Sequence, residues 1–160
     1  KVLAGRGYAP DRIWNIIRQT SRDNSRTPMQ WTDGEHAGFS TALPWIGVNP
    51  RYKEINAEGE EQDPDSILWY YRHVIQVRKA HHCAIYGSFH LLAPKDEQVF
   101  AFTRDDGDEE LLVVLNFTGV HARFPIPERF RNAKRIAGNY ADAPSSLLHA
   151  YEAYVLARKR

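Results

Sequence analysis

Glu110-Leu111-Leu112-Val113-Val114-Leu115-Asn116-Phe117 decides how the second half of this chain folds. Residues 111–115 are apolar without alternation, so a strand here is buried on both faces and lies in the middle of a sheet. Working backwards, Asp105-Asp106-Gly107-Asp108 is a turn that joins this strand as a hairpin to the run from Gln98 to Arg104. Further short runs rich in β-branched and aromatic residues read at a period of two: Gly87–Leu92, Val120–Pro125, Asn132–Ala137 and Glu152–Ala157. Pro, Gly, Asp and Asn separate them. From Tyr86 onward the expectation is an antiparallel β domain.

The first half reads differently. From Pro10 to Thr20 the residues Ile13, Trp14, Ile16 and Ile17 recur at helical spacing, with Asp11 placed well for the helix dipole. A second helix is predicted over 65–81, with Asp63 as N-cap, Pro64 in the first position, and a stripe of Ile67, Tyr71, Val74, Ile75 and Arg78. Trp69 and Tyr70 lie off that stripe, so this helix is contacted on more than one side. Between the helices, Ser21–Asn56 has no sustained period and holds Pro28, Gly34, Gly38, Pro44, Gly47 and Pro50. Irregular segments this long carry function or pack against something else. The fold class is therefore α+β, helices and a long loop followed by an all-β domain.

Composition narrows the function. The chain has 160 residues, 42% hydrophobic and 26% charged, as expected of a folded globular chain. Lys and Arg number 21 against 20 Asp and Glu, for a net charge of +1, which argues against nucleic acid or an anionic membrane as partner. No apolar run approaches the ~20 residues that span a bilayer. The single Cys83 excludes an intrachain disulfide and fits a reducing cytoplasm. Aromatics reach 12%, with Trp14, Trp31 and Trp45 near the start, a composition that suits a sugar-binding cleft or a large core.

Catalytic constellations are missing. His81-His82-Cys83 are neighbours that do not face one centre, so they read as helix-terminal histidines beside the negative end of the dipole rather than metal ligands. Asp105, Asp106, Asp108, Glu109 and Glu110 lack the calcium-loop pattern and read as a solvated hairpin turn. Arg158-Lys159-Arg160 reads as a frayed tail. No cofactor or metal is expected. The run that stands out is Ser21-Arg22-Asp23-Asn24-Ser25-Arg26-Thr27-Pro28-Met29-Gln30-Trp31. Two guanidiniums flanking a carboxylate form either a planar fork for paired sugar hydroxyls or carboxylates, or a buried ion-pair network that ties the loop down.

That run closely resembles a signature of the α-glucosidase branch of glycoside hydrolase family 13. The likeness continues through Ala37-Gly38-Phe39-Ser40, Pro44-Trp45-Ile46, Val48-Asn49-Pro50 and Tyr52-Lys53-Glu54-Ile55-Asn56, and Tyr151–Leu156 resembles the last strand of that family's C-terminal domain. The resemblance implies that residues 1–82 are the end of a (β/α)8 catalytic barrel, with the loop after strand eight and the last helix. Residues 83–160 would be the C-terminal antiparallel β-sandwich domain. It also implies a retaining, oligo-1,6-glucosidase-like hydrolase acting on terminal glucose of short α-glucosides. Its nucleophile Asp, acid/base Glu and third Asp would precede Lys1, so the chain alone would be inactive, with the missing barrel as its intramolecular partner. Carried over residue by residue, the loop arginines Arg26 and Arg22 bind the sugar, with Arg26 preferred. Alternatives within the branch are a trehalose-6-phosphate hydrolase, a dextran glucosidase or a sucrose isomerase. Outside it, the alternative is a non-catalytic carbohydrate-binding or structural β module.

Overall fold

The computed structural model describes residues 2–160 and, at Asn24, the backbone alone. Along the chain come helices α1 (Val2–Gly5), α2 (Pro10–Thr20), α3 (Ala57–Gln62), α4 (Ile67–Ala80) and α5 (His82–Tyr86). Strands β1 (Ser88–Leu92), β2 (Val99–Asp105), β3 (Glu109–Asn116), β4 (Ala122–Arg123), β5 (Lys134–Gly138), β6 (Leu147–Leu148) and β7 (Ala153–Lys159) follow. The chain divides into two compact units, Lys1–Tyr70 and Tyr71–Arg160. Helices and a long loop ahead of antiparallel strands make the fold α+β, as the sequence predicts.

In the second unit β3 is the middle strand of a five-stranded antiparallel sheet ordered β1-β2-β3-β7-β5, while β4 and β6 pair as a small second sheet. The register sets Leu112 opposite Thr103 and Leu156, and Val114 opposite Ala101 and Tyr154, which puts this set on one face. Ala122, Phe124, Phe130 and Leu148 close over that face to form the main core. Burying Leu112, Val114 and Phe130 almost completely stabilises the unit by about 1.5–3 kcal/mol per large side chain. On the opposite face Leu111 and Ala157 pack on Cys83 of α5. Gly87, between α5 and β1, has no room for a side chain: a Cβ there would lie 2.6 Å from the Cys83 carbonyl.

The boundaries depart from the sequence reading in ways that have physical causes. The 120–125 run yields only the two residues of β4, because Pro125 and Pro127 bring no N–H to a ladder. Its partner β6 is too short to show alternation and was not anticipated. Helix α4 starts at Ile67, not at Pro64: the Ser66 hydroxyl accepts the Trp69 N–H at 3.4 Å and Glu60 accepts that of Leu68 at 3.1 Å. Asp63 instead closes a turn, accepting the Asp65 N–H at 3.0 Å. Helix α3 has no apolar stripe; Asn56 caps it by accepting the Gly59 N–H at 2.8 Å, and Glu58 and Glu60 sit in its favourable first turn.

The C-terminal basic run is not a frayed tail. Strand β7 extends through Lys159, Arg158 binds Glu110, and Arg160 pairs with Asp105 while its N–H donates to the Asp108 carbonyl at 2.9 Å. The acidic hairpin is correspondingly less solvated than expected. The adjacent histidines follow directly on α4, the His81 N–H donating to the Val77 carbonyl at 3.1 Å, and both also have carboxylate partners. His81 Nδ1 lies 2.8 Å from Glu109 and His82 Nδ1 3.1 Å from Asp106, so both tie α5 to the β2–β3 hairpin.

Candidate functional site

The loop after α2 begins at Ser21, whose N–H closes the helix on the Ile17 carbonyl at 2.8 Å. Its hydroxyl then accepts the Asp23 N–H at 3.2 Å and starts a 3-10 turn over Arg22–Ser25. Ser25 Oγ donates to the Arg22 carbonyl at 2.9 Å and the Arg26 N–H to the Asp23 carbonyl at 3.0 Å. Short local bonds thus fix the backbone on either side of both arginines. Their side chains, and that of Asp23, are exposed. Among the described residues no ion pair joins Arg22, Asp23 and Arg26. Among the described residues, the run from Ser21 to Trp31 therefore holds no buried ion-pair network.

Beyond Arg26 the segment is pinned. Pro28 is buried, and the Gln30 and Trp31 carbonyls accept the Ala57 and Glu58 N–H groups at 2.9 and 3.0 Å. Gln30 Nε2 also donates to the Ile55 carbonyl. The Trp31 and Thr32 N–H groups converge on the carbonyl of Ala37, itself fully buried. That carbonyl is presented by a rare backbone: His36, Ala37 and Gly38 all lie in the left-handed region, with φ of 51, 58 and 66°. The two non-glycine residues cost about 1–2 kcal/mol each. At Gly38 a Cβ would approach Thr32 Oγ1 to 2.7 Å, so only glycine fits. Buried Asn56 completes the frame, donating from Nδ2 to the Tyr52 carbonyl at 2.9 Å while capping α3. Gln30, Asn56 and this turn were not singled out in the sequence. Only Asn56, standing before an acidic first turn, carries a readable cap signal.

What the loop offers is donors on a stiff base, with no general acid or nucleophile of its own. Two guanidiniums and the exposed rings of Trp14, Trp31 and Trp45 belong to this one unit. Among the described residues no group of three or more His, Cys, Asp or Glu is placed to hold a metal ion. Cys83 is buried, and burial, reinforced by the charge of Asp106, raises its thiol pKa away from nucleophilic use. Glu110 is the most enclosed carboxylate: burial raises its pKa, but bonds from Arg129 and Arg158 outweigh this and hold it below the ordinary value.

Residues 1–87, more than half of the chain, match the model of the alpha amylase catalytic domain. The chain belongs to the alpha-amylase family. Residues 89–141 match the maltogenic amylase C-terminal domain, so the helices and loop of this alpha-amylase chain precede a recognised C-terminal β domain. It is 40% identical to the oligo-1,6-glucosidase of Bacillus cereus over 96% of its own length. The crystal structure of Bacillus licheniformis trehalose-6-phosphate hydrolase matches 99% of the chain with a TM-score of 0.89 and 36% identity, covering 30% of that protein. Isomaltulose synthase from Klebsiella sp. LX3 matches 98% with a TM-score of 0.87 and 39% identity, covering 29% of it. The chain spans 29% of the length of the Bacillus cereus relative. Among the described residues, no helix of this alpha-amylase family member is long and apolar enough to cross a membrane.

Proposed function

We propose that this chain supplies the substrate-binding loop and C-terminal β domain of a retaining α-glucosidase of the oligo-1,6-glucosidase type, which removes terminal glucose from short α-glucosides. The observation that carries the reading is the Arg22–Arg26 turn: two guanidiniums on a backbone fixed by local bonds, exposed and without ion pairs among the described residues. A guanidinium presents a planar fork that suits two adjacent equatorial hydroxyls and fixes the sugar for attack. In this reading Arg26, with Arg22 beside it, holds the non-reducing glucose.

Retaining hydrolysis requires one carboxylate to attack the anomeric carbon and another to protonate the leaving oxygen, then deprotonate water. The proposal assigns that pair, and the third acidic group, to the part of the (β/α)8 barrel that lies outside these 160 residues. The exposed Trp14 and Ile17 of α2 and Ile67 of α4 support a barrel partner, since apolar groups at this density are normally covered. The boundary is placed at 82/83, with residues 1–82 ending the barrel. A cytoplasmic setting suits one buried free cysteine. No role for nucleic acid or membrane is invoked.

A chimera tests the proposal: this chain replaces the matching stretch of the Bacillus cereus oligo-1,6-glucosidase, and turnover of p-nitrophenyl α-glucoside is measured. The chimera should be active. Arg26→Ala should lower kcat/KM by about tenfold to a hundredfold, because a desolvated hydroxyl left unpaired costs about 1–3 kcal/mol. Arg22→Ala should also damage, Arg26→Lys should rescue only in part, and Lys95→Ala, at an exposed position between β1 and β2, should be neutral. An Arg26→Ala variant that melts lower but keeps its kcat/KM would assign the residue to the scaffold. Isothermal titration of the isolated chain with maltose and isomaltose should show no binding; clear binding would favour the carbohydrate-binding module.

A further inference from the structure

The second unit carries a concentration of positive charge that the α-glucosidase reading does not use. A cleft of about 570 Å³ opens where β7 runs past the start of β5, within the size range of small-molecule sites. Arg129, Lys134, Arg158 and Lys159 line it, together with His81 and Glu109. The chain as a whole carries only +1, so this cleft gathers charge that the rest of the surface does not.

Two of the four cations are held in place from below. Glu110, only 4% exposed at its side chain, accepts Arg129 through Nε and Nη2 at 3.1 and 2.9 Å and Arg158 through Nε at 2.8 Å, with Arg158 Nη2 in ion-pair contact at 2.8 Å. Both guanidiniums also lie over the ring of buried Phe130, at 5.2 and 5.7 Å from its centroid. Each therefore spends its Nε edge inward, and among the described residues neither Nη1 makes a hydrogen bond. Lys134 and Lys159 are exposed and, among the described residues, form no ion pair.

Charge counting selects the ligand. Glu110 answers one of the two arginines, and Glu109 is engaged through both oxygens by His81, at 2.8 and 2.9 Å. Arg129, Lys134, Arg158 and Lys159 face Glu109 and Glu110, four cations against two carboxylates, leaving two positive charges over. A carboxylate ligand would neutralise half of that excess. A phosphate dianion would neutralise it all, and its oxygens can bridge a guanidinium fork and two ammonium groups. We propose that this cleft binds a phosphate dianion, either free phosphate or the phosphate of a small monoester such as a sugar phosphate. Arg129 and Arg158 are the fixed donors and Lys134 and Lys159 the mobile ones.

The test is a two-dimensional amide NMR titration of the chain with inorganic phosphate near pH 8, where the dianion dominates, at constant ionic strength set with chloride. Saturable shifts should gather at residues 129–134 and 157–159. The double variant Lys134→Gln/Lys159→Gln, both positions exposed, should keep the fold and weaken binding about tenfold. Lys95→Gln should bind as the parent does. A parallel titration with glucose 6-phosphate separates the sources: tighter binding at the same amides identifies a monoester, equal binding identifies free phosphate. Shifts that are linear and scattered over the chain, or a double variant that binds both ligands like the parent, would overturn the proposal.

Discussion

The two units are built on opposite economies of burial. In Tyr71–Arg160 the central strand is covered on both faces, and a continuous core joins the two sheets. Among the described residues of Lys1–Tyr70, the buried hydrophobic side chain is that of the small Ala37, while Trp14, Trp31, Phe39, Leu43 and Trp45 are exposed. Order there comes from Asn56, the Ser21 cap and a left-handed turn, each a local bond and none a core. Hydrogen bonds of this kind select a conformation but contribute only about 1 kcal/mol net apiece. The first unit is thus ordered by local bonds rather than by a core of its own.

Substitutions sharpen the contrast. Leu112→Ala, at a position with no exposure, should cost about 2–5 kcal/mol in urea unfolding, whereas Trp45→Ala, at 89% exposure, should stay within about 0.5 kcal/mol. An equal cost at the two positions would erase the distinction between the units. Arg158→Ala comes next: it leaves the buried Glu110 with Arg129 alone and should cost about 1–3 kcal/mol.

The same cluster sets a pH dependence. Glu110 has a pKa below its ordinary 4.5 when folded, so its ionised form favours the folded state. That stability is complete above about pH 5 and is lost as pH falls through 4.5 and then through the depressed folded value. Asp106 is lowered in the same direction, by the Glu109 N–H and then by His82, and adds to the acid sensitivity. Melting temperature measured from pH 6 to pH 3 should drop steeply, and Glu110→Gln should flatten the slope. A smaller effect is expected in the first unit. Asn56→Ala should cost about 0.5–2 kcal/mol, read as faster amide exchange over 50–60 with the melting point of the second unit unchanged.

Most of the β domain was legible because its strands announce themselves. Leu111–Leu115 is an apolar run with turn residues on its N-terminal side, and β1, β2, β5 and β7 fall within short runs of strand-forming residues set between turn residues. Helices α2 and α4 were legible by period; α3 and β6 were not, since one has no apolar face and the other is two residues long. Arg158 and Arg160 were misread for an instructive reason. A basic run at a terminus resembles a tail, yet Glu110 at the head of a buried strand needed a cationic partner and was the available clue. In the candidate site, Arg22 and Arg26 stood out by residue type and by family resemblance. The ties at Gln30 and Ala37 run largely through backbone groups, which leave little trace in side-chain identity, whereas Asn56 acts through its side chain and reads as a cap; of the left-handed turn, only Gly38 is visible in advance.

Hydrogen exchange on the isolated chain tests most directly whether one unit stands alone and the other depends on more protein. Amides of β2, β3 and β7 should exchange roughly a hundredfold or more slowly than those of residues 2–56, with protection close to the global unfolding free energy in the sheet and near zero in the loop. Uniform protection across both units, in a chain that sediments as a monomer, would contradict the account.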